Sequence, residues 1–211
     1  MIWLSFDDTR QFFPKDTLIP DLFGNYKVPH FDAKNEAEKY FQEIPVTFFS
    51  IVFWWDSLLN INRSSLMDNP KGGLQLLLPF GDKKLAGIAT EDIGRCILGC
   101  FTDESLIGQR ISISSEFLTL DEMTKQLSEV LGKQVTYVDI EPERFRKIPF
   151  PGADAVTNMF CFWHDFNERF CDESHIEMAR RLNPKMMTFK QWCQVYKTRF
   201  QHHILRINNN K

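Results

Sequence analysis

Two apolar runs constrain this chain most: residues 2–6 (Ile-Trp-Leu-Ser-Phe) and residues 46–53 (Val-Thr-Phe-Phe-Ser-Ile-Val-Phe). Both are short and rich in β-branched or aromatic residues, which is strand character. The second is apolar at nearly every position, as expected of a strand covered on both faces in a parallel sheet. Between them, residues 33–43 read as a helix, with Ala37, Tyr40, Phe41 and Ile44 on one side and Pro45 as its stop. Two parallel strands need a crossover, so strand, helix and strand in this order make a βαβ unit. The first strand opens at the first residue, without the lead-in most domains have. Residues 7–29 form a loop rich in Asp, Pro and Gly.

The second half alternates less regularly. Residues 74–79 read as a short strand. Thr90 is placed to cap a helix running to Phe101, with Ile93, Ile97 and Cys100 inward. Ile111 and Ile113 alternate in a half-buried strand, and residues 135–140 form another. Thr119-Leu-Asp-Glu122 is a capping box opening a helix that ends at Gly132. Residues 152–163 and 174–182 read as helices. A second capping box, Thr188-Phe-Lys-Gln191, opens a helix with Phe189, Trp192, Tyr196 and Phe200 on one face. The tail, residues 206–211, is polar.

Composition narrows the class. The chain has 211 residues, 25 Lys+Arg, 28 Asp+Glu and a net charge of −3. A mildly acidic protein lacks the basic surface that grips nucleic acid, so no direct nucleic-acid partner is expected. The 43% hydrophobic content excludes disorder as a whole-chain reading. The 20 Phe and 5 Trp mean that aromatic packing must fill the core. The five cysteines (Cys96, Cys100, Cys161, Cys171, Cys193) contain no CxxC pair and read as reduced, buried or half-buried thiols of a reducing compartment. No apolar run approaches a membrane span, and the N-terminus has no basic lead into a signal core. No three of the ten glycines fit GxGxxG, and neither GxxxxGK[ST] nor HExxH occurs. No metal site is expected. His202 and His203 read as solvent-exposed, His164 and His175 lack a carboxylate-rich neighbourhood at ligand spacing, and Glu91-Asp92 suits the first turn of its helix.

Several words occur together in order: Asn25-Tyr-Lys-Val-Pro-His-Phe-Asp-Ala-Lys34, Leu85-Ala-Gly-Ile-Ala-Thr-Glu-Asp-Ile-Gly94, Leu118-Thr-Leu-Asp-Glu-Met123, Phe150-Pro-Gly-Ala153, Asn158-Met-Phe160 and Arg181-Leu-Asn-Pro-Lys185. Over residues 2 to 200 this series resembles the NmrA-like family, an atypical branch of the short-chain dehydrogenase/reductases. The resemblance implies an α/β fold: the C-terminal half of a Rossmann-like parallel sheet plus a smaller α+β accessory lobe. The expected division is residues 1–70 for the Rossmann-like remnant, 71–205 for the accessory lobe and 206–211 for the tail. The family's first strand, its Gly-rich turn and the elements after it, about 100 residues for a unit of this kind, are expected to precede Met1.

The resemblance also implies sites. The superfamily pairs a proton-donating Tyr with a Lys four residues on, which lowers the Tyr pKa and binds the nicotinamide ribose. Here His30 stands at the Tyr position and Lys34 at the Lys. Lys34 is therefore the candidate NADP(H) contact. Phe53, Trp54, Trp55 and Asp56 match the segment lining the nicotinamide end, with core and subdomain packing as the alternative. His30 is the one catalytic candidate. The implied function is an NADP(H)-linked redox sensor or transcriptional co-regulator, catalytically inactive and impaired in cofactor binding. It would work in the cytoplasm and nucleus through protein partners, a transcription factor or self-association. The rival readings are an NADPH-dependent reductase using His30 and Lys34, and a truncated product without independent function.

Overall fold

The computed structural model describes residues 1–14, 17, 19–41, 43–59 and 66–202. The strands are β1 (Ile2–Leu4), β2 (Thr47–Ile51), β3 (Phe53–Trp54), β4 (Leu66–Asp68), β5 (Leu74–Leu78), β6 (Leu85–Ile88), β7 (Arg110–Ile113), β8 (Glu116–Leu118) and β9 (Val135–Asp139). The α-helices are α1 (Pro29–Ala37), α2 (Thr90–Phe101), α3 (Leu120–Leu131), α4 (Pro142–Phe145), α5 (Ala153–Asp165), α6 (Glu173–Leu182) and α7 (Phe189–Val195).

The expected βαβ unit is present: β1 and β2 pair in parallel, Trp3 opposite Phe48, with α1 between them in the chain. A third parallel strand, β7, joins the far side of β2. The parallel sheet thus draws on residues 110–113, beyond the expected division at residue 70, so its packing is discontinuous in the chain. Two further sheets follow, β3-β6-β8 and β4-β5-β9, each mixing parallel and antiparallel pairs.

The run at residues 46–53 is not one strand covered on both faces. Within β2 burial alternates: Thr47, Phe49 and Ile51 are buried, Phe48 and Ser50 half-buried. Val52 then leaves the first sheet, and Phe53 enters the second as β3. Ile51, Val52 and Phe53 are all buried because the chain changes sheet there, which defeats a period-2 reading. The helix expected at 33–43 begins four residues earlier. Proline suits the first helical position, where its missing N–H is not needed, and Pro29 takes it. A 3-10 turn, Glu38–Phe41, completes this segment. Thr90 is the first residue of α2 rather than its cap, which is Ala89. Both capping boxes form as expected, and Gly132 ends α3 at φ +65°, a conformation that favours glycine. The last helix breaks at Tyr196 and resumes over 197–202, with Phe200 buried. Among the described residues, no helix is long and apolar enough to cross a membrane.

Candidate functional site

The start of α1 is held by a carboxylate. Asp32 is fully buried in its first turn and accepts four hydrogen bonds: from Thr9 N (2.7 Å), Thr9 Oγ1 (2.7 Å), Lys27 N (2.8 Å) and Val28 N (3.0 Å). Burying a charge is tolerated when its lone pairs are filled in this way. Asp32 thereby ties the long 7–28 loop to α1 and fixes the helix that carries His30 and Lys34. These two lie four residues apart, on one helix face. Asn158 of α5 clamps the same loop from the accessory lobe, its Nδ2 donating to Pro20 O (3.0 Å) and Lys27 O (2.6 Å).

His30 and Lys34 border a cleft of about 460 Å³ beyond the carboxyl ends of β1 and β2. Parallel sheets place their ligands at this end. Leu4, Phe6, Val52, Phe53 and Trp54 line the sheet side, and Phe150, Val156, Met159, Phe160 and Trp163 the lobe side. Phe6 and Phe31 stack at 4.1 Å between centroids, and His30 meets Phe31 edge-on at 4.8 Å. The Lys34 ammonium sits 5.1 Å above the Trp3 ring, whose Nε1 donates to Lys34 O (3.3 Å). That is a cation–π contact on a rigid shelf.

The segment 53–56 divides. Phe53 and Trp54 line the cleft, Trp54 being 49% exposed at its mouth. Trp55 turns the other way. It is 1% exposed and packs on Phe189 (5.2 Å) and Trp192 (6.0 Å). Its indole crosses β6 so closely that a Cβ on Gly87 would lie 2.1 Å from Trp55 Nε1. Asp56 also points elsewhere: its Oδ2 accepts from Thr90 N (2.9 Å) at the start of α2. A carboxylate there satisfies an orphan N–H and complements the helix dipole. The structure thus gathers His30, Lys34, Phe53 and Trp54 at one cleft and places Trp55 and Asp56 outside it.

Asp92 holds another of the ordered words in place. It is fully buried and accepts from Asn183 Nδ2 (2.9 Å), Met187 N (2.8 Å) and Arg95 (3.0 Å), fixing residues 181–187 against α2. Asp32, Asn158 and Asp92 were not singled out as anchors from the sequence. The available signal was a polar side chain inside one of the ordered words, and nothing local says which of them is buried.

The cysteines are free, four of them buried and Cys171 half-buried. Burial pushes the Cys96 thiol up to about 12 and the Cys100 and Cys161 thiols to about 11, so they stay protonated and inert. His164 Nδ1 lies 2.9 Å from Asp165 beside a second hollow of about 330 Å³, while His175 faces Phe170 O at 3.3 Å. His202 is exposed, and His203 lies outside the described residues. No cluster of metal-ligating side chains occurs among the described residues.

A parallel βαβ unit with a cleft beyond its strand ends, roofed by helices, defines a Rossmann-like α/β protein. Residues 9–193 match the model of the NmrA-like family, and the chain belongs to that family. It is 28% identical over 90 residues to prestalk A differentiation protein A of Dictyostelium discoideum, a stretch covering 39% of this chain and 30% of that protein. In fold it is similar to NmrA, a negative transcriptional regulator, with a TM-score of 0.69, 20% identity, and coverage of 92% of this chain and 62% of NmrA. NmrA has also been solved in complex with NADP. Triphenylmethane reductase of Citrobacter sp. matches with a TM-score of 0.65, 15% identity, and coverage of 93% of this chain and 64% of the reductase. The chain therefore spans less than two thirds of the length of these relatives.

Proposed function

We propose that this chain is part of an NADP(H)-linked redox sensor that acts as a transcriptional co-regulator through protein contacts, in the cytoplasm and nucleus, without turnover of its own. The observation that carries this reading is the makeup of the cleft. The position of the superfamily's proton-donating Tyr holds His30, while Lys34, Phe53 and Trp54 remain at the cleft wall. These residues fit the nicotinamide end of the dinucleotide, with Lys34 toward the ribose and the aromatic wall against the ring. When bound, the nucleotide would supply a hydride donor or acceptor; the chain's own residues would orient its ring and exclude water. The pyrophosphate end has no counterpart among these 211 residues, whose glycines never reach GxGxxG spacing. The chain by itself therefore holds NADP(H) weakly. Titration with NADPH, followed by calorimetry, is expected to show weak or no binding. A dissociation constant in the low micromolar range overturns that expectation.

The contacts involve the edge of the parallel sheet. Among the described residues β1 pairs with β2 alone, and its side chains are half-buried. An open strand edge is a template for another strand. Self-association through this edge, or capture of a protein partner by it, predicts a mass that rises with concentration in light scattering. A soluble monomer throughout the series argues against it.

A reductase is the second reading, favoured by the placement of His30 and Lys34 on the same cleft wall. An imidazole can donate a proton. NADPH-dependent turnover of a quinone or aldehyde that His30→Ala abolishes establishes this reading over the first.

A further inference from the structure

Helix α2 faces the core with Ile93, Cys96 and Cys100. Its other side carries Leu98 and Phe101, each 66% exposed, in line with the exposed Gly94 at helical spacing. Ile107, just beyond the helix, is 48% exposed. Single apolar residues scattered over a surface are ordinary, but these share one stripe.

The two glycines inside α2 differ in what surrounds them. A Cβ on Gly99 would lie 2.6 Å from Leu182 O, so glycine there lets α6 approach. A Cβ on Gly94 would meet no described atom within 4 Å, and its φ is not positive. Glycine inside a helix is destabilising relative to alanine, and nothing among the described residues offsets that cost at Gly94. The close approach of a second surface does.

We propose that this stripe is the contact through which two copies of the chain pair, their α2 helices antiparallel across a two-fold axis near Leu98. The stripe is complementary to itself. Gly94 lies four residues before Leu98 and Phe101 three after it, so the two-fold sets the Phe101 ring of each copy over the Gly94 notch of the other. Ion pairs flank the stripe at both ends, Glu91 with Arg95 and Asp103 with Arg181. The antiparallel arrangement brings one pair against the other, so neither sign accumulates. A contact of one helix and the turn after it belongs to the small end of interface sizes, below about 1,200 Å² in total, so the dimer is weak and concentration-dependent. The stripe belongs to α2 and not to the β1 edge, so the inference goes beyond the reading above.

Light scattering of the full chain over a concentration series should follow a monomer–dimer equilibrium. Leu98→Glu and Phe101→Glu should each raise its dissociation constant by about tenfold or more. Both positions are exposed, so circular dichroism at low concentration should be unchanged. Gly94→Leu should weaken the dimer as much, because it fills the notch. In a second measurement, oxidation by copper phenanthroline should link Leu98→Cys into a dimer across the axis, and should not link Lys125→Cys on α3. A monomer at every concentration, or equal cross-linking at the two positions, overturns the proposal. Association that survives Leu98→Glu also overturns it while leaving the β1 edge as the contact.

Discussion

The core beneath the parallel sheet packs Phe49, Ile51, Ile111 and Ile113 against Ile93, Cys96 and Cys100 of α2 and Ala179 of α6. The core behind the cleft packs Phe160, Phe162 and Trp163 of α5 and Phe189, Trp192 and Phe200 of the last helical segments with Phe13, Phe31, Phe53, Trp55, Phe80 and Phe145. Phe49 is the sole aromatic among the buried described residues of the first cluster, whereas the second holds 12 rings among its 26. The first is built from adjacent strands and helix faces whose periodicity is regular. The second gathers side chains from residue 13 to residue 200, and its rings hold loops as well as elements. Phe6 and Phe170 touch both clusters, and Phe6 also lines the cleft. The cleft therefore lies where the regular core meets the aromatic one.

Truncation in each core should separate them. Trp192 is fully buried and touches Trp55, Phe189, Tyr196 and Phe200. Trp192→Ala is expected to cost about 3–5 kcal/mol, since few rigid rings can move into the space. Ile113→Val, in the aliphatic core, should cost about 0.5–1.5 kcal/mol. Chemical denaturation measures both, and a loss below 1 kcal/mol for Trp192→Ala would show that the aromatic core collapses readily around a void.

Alkaline pH probes the aliphatic core through its thiols. Cys96 and Cys100 are held protonated by burial, at about 12 and about 11, against an ordinary value near 9. The unfolded chain loses these protons first. Their contribution to stability is therefore complete below about pH 9 and declines as pH rises toward 11 and 12. Denaturation midpoints between pH 8 and 11 should fall, and the fall should be shallower in Cys96→Ala. An unchanged slope in that variant removes Cys96 as a cause.

Helix caps give the smallest contrast. The α3 helix of the aromatic core carries its own cap, Thr119, whereas α2 of the aliphatic core takes its cap from Asp56, 34 residues away in the chain. Thr119→Ala and Asp56→Ala should each cost about 1 kcal/mol. If Asp56→Ala leaves the melting temperature unchanged but alters NADPH binding, Asp56 serves the nucleotide rather than the helix.

The sequence by itself determined the elements whose instructions are local. Both capping boxes, the Gly132 stop and the βαβ order follow from residues within a few positions of one another, and each is found in the fold. The ordered words identified the family and paired His30 with Lys34, while the helix that carries both begins at Pro29, four residues before its expected start. Tertiary structure decided what depends on distant partners. Val52 carries no mark of a change of sheet, because a buried crossing and a doubly covered strand are equally apolar. In Phe53-Trp54-Trp55-Asp56, the same four residues split between cleft, aromatic core and helix cap according to what Gly87, Trp192 and Thr90 bring to them. Nothing local marks Asp32 as an anchor; it becomes one when Thr9 and Lys27 close over it. Local propensity acts through backbone geometry over a few residues, while burial and hydrogen-bond partners are properties of the closed chain.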